Sequence, residues 1–136
     1  MFVDASAIVA ILTEEPEAEA LLEVLESADV AITSPIAVFE TVVAIARKKR
    51  APIESAEEIV IGFLRDAKIA LRAIGAQEAY TALDAFARFG KGRGHSARLN
   101  LGDCFAYAVA KNHRLPILYK GDDFNKTDLR SANRPR

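Results

Sequence analysis

Four short, apolar, β-prone runs punctuate the chain at residues 1–3, 30–33, 69–71 and 115–119, with longer stretches of helical periodicity between them. A strand that hands over to a helix before the next strand begins builds βαβ units, whose strands point the same way. The alternation restricts the chain to an α/β fold, expected as three α/β/α layers around a short, mostly parallel sheet of four to five strands. No repeat, low-complexity segment or internal linker interrupts it, so residues 1–136 are expected to form one domain.

Local signals mark the helices. Ser6 is expected to cap a helical turn over 7–12, and Pro16, among Glu14, Glu15, Glu17 and Glu19, opens a helix ending near Ser27. Ser34-Pro35 starts a helix over 36–50 that closes on Arg47, Lys48, Lys49 and Arg50, with Pro52 as its stop. A helix over 54–66 is expected to turn Ile59, Val60, Phe63 and Leu64 inward, and one over 76–89 Tyr80, Leu83, Phe86 and Ala87. A glycine-rich basic loop follows at 90–96. Asn100 then caps a helix over 101–112, and the tail from Arg130 is expected to fray.

Composition removes several functional classes. Cys104 is the single cysteine, which excludes an internal disulfide and a multi-cysteine zinc site and suits a reducing compartment. The first residues lack a basic n-region, and no apolar run approaches the roughly 18 residues of a membrane span, so a cytoplasmic location is expected. The net charge of −1 conceals a polarity: residues 1–40 hold nine acids and no Lys or Arg, whereas residues 87–136 hold eleven Lys/Arg and four acids. That asymmetry reads either as two solvated faces or as a basic surface for nucleic-acid phosphates.

The chemistry-bearing residues are carboxylates in unusual places. Ligands of open α/β sheets bind beyond the carboxyl ends of the strands, where Asp4 and Asp122 fall. Glu40 and Asp103 each stand in an otherwise apolar helix, where an ionised carboxylate is costly unless it is paired or binds a metal. Each also has a plain structural alternative: a turn acid at Asp4, an arginine pair at Glu40, a helix cap at Asp103. Converging carboxylates without partners repel one another, and a hard divalent cation removes that cost. Oxygen-only ligation suits Mg2+ or Mn2+ rather than zinc. Such a site can hydrolyse a phosphodiester with water and needs no covalent nucleophile. That agrees with a chain whose two histidines, His95 and His113, have no triad-like setting.

Taken in order, these segments resemble PIN-domain ribonucleases of the VapC toxin type. The resemblance is carried by Phe2-Val3-Asp4-Ala5-Ser6, by Ser34-Pro35 through Glu40, by Leu99-Asn100-Leu101-Gly102-Asp103-Cys104, and by Leu118 through Asp128, spanning nearly the whole chain. It implies a metal-dependent endoribonuclease with Asp4, Glu40 and Asp103 as its core acids and Ser6 supporting Asp4. For the fourth acid both Asp122 and Asp123 are candidates, with Asp122 preferred. It further implies a homodimer, an RNA substrate and a cognate VapB-type antitoxin that forms a higher assembly and inserts a basic side chain among the acids. The alternative is a PIN-fold module that binds RNA or protein without cutting; its mark would be loss of an acid, and none of the core three is missing.

Lys91, Arg93, His95 and Arg98 precede the Asp103 helix and are expected either to hold RNA phosphates at the mouth of the site or to solvate a glycine-rich loop. Tyr80, Phe86 and Phe89 fit core or dimer contacts better than base-stacking platforms.

Overall fold

The computed structural model describes residues 1–133. Its elements run β1 (Phe2–Val3), α1 (Ala5–Leu12), α2 (Ala18–Glu26), β2 (Ala31–Thr33), α3 (Pro35–Lys49), α4 (Ile53–Asp66), β3 (Ile69–Leu71), α5 (Ala76–Phe89), α6 (Leu101–Asn112) and β4 (Ile117–Leu118), then a 3-10 turn at Phe124–Lys126. The four strands form one all-parallel sheet in the order β3-β2-β1-β4. Strands this short still specify two faces, because successive side chains point oppositely. Phe2, Ile32 and Ile117 face a core built with α5 and α6, around Phe89, Leu99 and Tyr107. Val3, Ala31, Ile69 and Leu118 face a second core with Ile8, Leu21, Ile45 and Val60 from α1 to α4. These are the three α/β/α layers.

Strand order decides where a ligand can sit. The chain steps from β1 outward to β2 and β3, then returns through α5 and α6 to place β4 on the other side of β1. The direction of winding reverses at β1, and in open parallel sheets the crevice beyond the strand ends opens at such a reversal. Asp4 follows β1 directly, and its N–H donates to the Leu118 carbonyl of β4 at 2.9 Å.

Several local expectations are corrected. Ser6 is not the first cap: Asp4 is, and α1 begins at Ala5. The apolar surface of α3 is not all buried, since Phe39 is 69% exposed. On α4, Ala56, Val60 and Leu64 are buried while Ile59 is exposed. On α5 the buried stripe is Ala82, Ala85 and Phe89, and the larger Tyr80, Leu83 and Phe86 are exposed. Small side chains let α5 approach α6 closely, so size rather than hydrophobicity selected the inner face. The described part of the tail is ordered by pairing. Ser131 bridges Ile117 in parallel, and Asn133 receives the Tyr119 N–H and donates to the Tyr119 carbonyl, at 3.2 and 2.7 Å. The rest of that expectation, 134–136, lies outside the described residues.

A candidate metal centre at the β1–β4 crevice

Three helix starts deliver the acids. Asp4 leaves β1 with extended backbone and caps α1: its Oδ2 accepts from the Ser6 N–H at 3.0 Å and from Ser6 Oγ–H at 2.6 Å. Ser6 Oγ in turn accepts from the Lys120 N–H at 3.0 Å, which ties the loop after β4 to the acid after β1. Glu40 lies in the second turn of α3, whose start is fixed by Pro35 and by Ser34 Oγ accepting from the Ala37 N–H at 3.2 Å. Asp103 lies in the first turn of α6 in a capping box: its Oδ2 accepts from the Asn100 N–H at 3.0 Å, and Asn100 Oδ1 accepts from the Asp103 N–H at 2.9 Å. The plain readings of Asp4 and Asp103 as caps are therefore true of one oxygen each. No ion pair among the described residues involves Asp4, Glu40, Asp103, Asp122 or Asp123, so the arginine partner considered for Glu40 is not there.

Electrostatics joins these residues into one cluster. Burial raises the Asp4 carboxyl, against the Ser6 hydrogen bonds that lower it, and the Asp123 charge raises it further. Glu40 is pushed up to about 7 by burial first and then by the charges of Asp4 and Asp103. Asp103 is pushed up to about 6 by burial, with Asp4 and Asp123 adding to it and the Asn100 N–H opposing it. The loop acid that acts on both Asp4 and Asp103 is Asp123, not the preferred Asp122. Gly121 turns the chain with φ +103, and Asp123 then enters the helical conformation that begins the 3-10 turn, anchored by buried Phe124 against Tyr119. The sequence predicts a turn opening at Gly121, and the structure adds the 3-10 conformation that follows it.

The donor set is all-oxygen, anionic and, among the described residues, without a neutralising ion-pair partner, which is the chemistry a hard divalent cation satisfies. Among the described residues no three of these acids close on a single point. Asp4 and Asp103 each turn one oxygen to a helix start, and the Glu40 carboxylate rests against Gly102.

The basic loop is exposed at Lys91, Arg93 and Arg98, and Gly90 bridges Leu99 to close its neck. His95 is half-buried and held within the loop. Its Nδ1 accepts from the Ala97 N–H at 3.0 Å, and its ring packs edge-on against Phe89. Lys120 is a neighbour of the site: its Nζ pairs with Glu15 Oε2 at 2.8 Å, and Lys48 pairs with Glu15 Oε1 at 2.8 Å.

Residues 1–129 match the family model for the PIN domain. A VapC ribonuclease of Rhizobium meliloti (strain 1021) is 46% identical over 139 residues, covering 94% of this chain and 98% of that protein. Mycobacterium tuberculosis VapC20, a Sarcin-Ricin loop cleaving toxin, superposes with a TM-score of 0.76 at 17% identity over 98% of each chain. A toxin–antitoxin complex from Klebsiella pneumoniae gives 0.66 at 19%, covering 89% of this chain and 86% of that one. At those identities the two structures speak for the fold. The chain belongs to the PIN-domain family and, within it, to the VapC ribonucleases.

Proposed function

We propose that this VapC ribonuclease is a toxin whose endoribonuclease activity depends on Mg2+ or Mn2+ held by Asp4, Glu40 and Asp103, with Asp123 as the fourth acid in place of Asp122. The observation that carries the reading is that burial first, and the charges of the neighbouring carboxylates second, lift Glu40 to about 7 and Asp103 to about 6, while no ion pair among the described residues relieves them. A divalent cation bound there supplies the missing positive charge, polarises the scissile phosphate and makes water a better nucleophile. Ser6 holds Asp4 in one rotamer and keeps its Oδ2 occupied, leaving Oδ1 as the oxygen for an ion. The starts of α1 and α6 add their positive dipole ends on the same side. Lys91, Arg93 and Arg98 guide the RNA backbone toward the crevice.

The partner expected from the family is a VapB-type antitoxin, in keeping with the Klebsiella pneumoniae toxin–antitoxin complex of similar fold. A homodimer is proposed on the exposed apolar surface of Leu83, Phe86 and Leu101, which borders a groove of about 400 Å3. The setting is the cytoplasm; no helix among the described residues is long and apolar enough to cross a membrane.

The test is cleavage of single-stranded RNA by purified protein with Mg2+ or Mn2+, against EDTA and against the Asp4→Asn and Asp103→Asn variants. Cleavage that needs the metal and vanishes in both variants is the expected result. Equal cutting by all three proteins would mean a contaminant and would defeat the proposal.

A further inference from the structure

Gly102 has no backbone reason to be glycine. It occupies the second position of α6 and is buried, and the glycines with positive φ are Gly92, Gly94 and Gly121 instead. Glycine in a helix is normally a liability relative to alanine. The reason lies in space. A Cβ added at Gly102 would stand 2.1 Å from Glu40 Oε2, 2.5 Å from Glu40 Cδ and 2.6 Å from Glu40 Oε1. These three nearest atoms are all the end of one flexible side chain, so a methyl group there displaces the Glu40 carboxylate rather than the fold.

We propose that Gly102 is a positioning residue for Glu40: its missing side chain is the seat in which the Glu40 carboxylate rests, over the start of α6. The inference rests on the metal-site reading given above. It assigns Gly102 no contact with substrate or ion; the residue acts through Glu40. A methyl at 102 pushes Glu40 out of the cluster and leaves the cation one carboxylate short. Gly62, inside α4, provides the contrast, because a Cβ there meets only Arg65 Nη2 at an ordinary 3.7 Å.

The experiment compares G102A, G62A, E40D and the double variant G102A/E40D with wild type. It uses calorimetric titration of Mn2+ and thermal unfolding in EDTA. Both alanine variants are expected to melt at or above the wild-type temperature, since alanine favours the helix. G62A should bind Mn2+ as wild type does, and G102A should bind at least about 10-fold more weakly, the scale on which supports of metal ligands act. In the double variant the shorter aspartate side chain at position 40 avoids the new methyl, so its loss should be well below the product of the two single losses. Unchanged affinity in G102A, or losses that simply multiply, would overturn the inference while leaving the metal site standing. Loss of a cooperative melt in G102A would overturn it too, because atoms other than those of Glu40 would then have been displaced. A wild-type protein that binds no Mn2+ would remove the metal-site reading and this inference together.

Discussion

Replacing Glu40 by glutamine should make the metal-free protein more stable while removing its nuclease activity. The size follows from the site. Glu40 ionises near 7 in the folded chain against an ordinary 4.5, with burial the larger cause and Asp4 and Asp103 the next. A difference of that size corresponds to roughly 3 kcal/mol of strain in the ionised form. Glu40 is only partly buried, so solvent screening reduces this to about 1–2 kcal/mol. The sign is set by proton binding. Between pH 4.5 and about 7 the folded protein keeps a proton on Glu40 that the unfolded chain has released, so this residue's share of stability falls as pH rises through that window. A glutamine side chain at this position does not titrate. The advantage of E40Q should be close to zero at about pH 4 and complete by about pH 8. Urea unfolding followed by far-UV circular dichroism in EDTA reads this directly, with a midpoint shift of about 1 M expected at the higher pH. Added Mn2+ should then stabilise wild type more than E40Q and shrink the gap. An equal effect at both ends of the pH range, or no gain at the alkaline end, would refute the idea that ionisation of Glu40 in this site destabilises the metal-free protein.

Two further outcomes test the surroundings of the cluster. D123N should weaken Mn2+ binding and RNA cleavage by roughly 10-fold or more while D122N stays within a few-fold of wild type; the reverse ranking in a cleavage assay would restore Asp122 as the fourth acid. K91A/R93A should lower RNA affinity and reduce the dependence of log affinity on log salt by about 1–2, as lost phosphate contacts require. An unchanged slope in a fluorescence-anisotropy titration across salt would make the loop merely solvated.

Much of the molecule is legible along the chain. Strand and helix signals are local, so α5 and α6 begin and end where periodicity and the Asn100 cap indicate, and the Ser34-Pro35 start of α3 is a local hydrogen-bond matter. Glu40 and Asp103 stand out because a lone carboxylate in an apolar helix carries a desolvation cost visible in composition. Which side of a helix is buried is less legible. On α5 and α4 the large side chains Leu83, Phe86 and Ile59 suggest the inner face, but close helix packing buries the alanines beside them.

By itself the amino-acid sequence determined the α/β alternation, the element boundaries to within a few residues, and the identity of the three acids that interrupt strand ends and apolar helices. Only the tertiary structure decided that the sheet reverses its winding at β1, that Asp123 rather than Asp122 acts on Asp4 and Asp103, and that Gly102 lies against the Glu40 carboxylate. The physical reason is range. Propensity, capping and desolvation act within a few residues of chain. The direction of a side chain after a positive-φ turn at Gly121, and the space left by an absent Cβ on another helix, exist only once distant segments have packed.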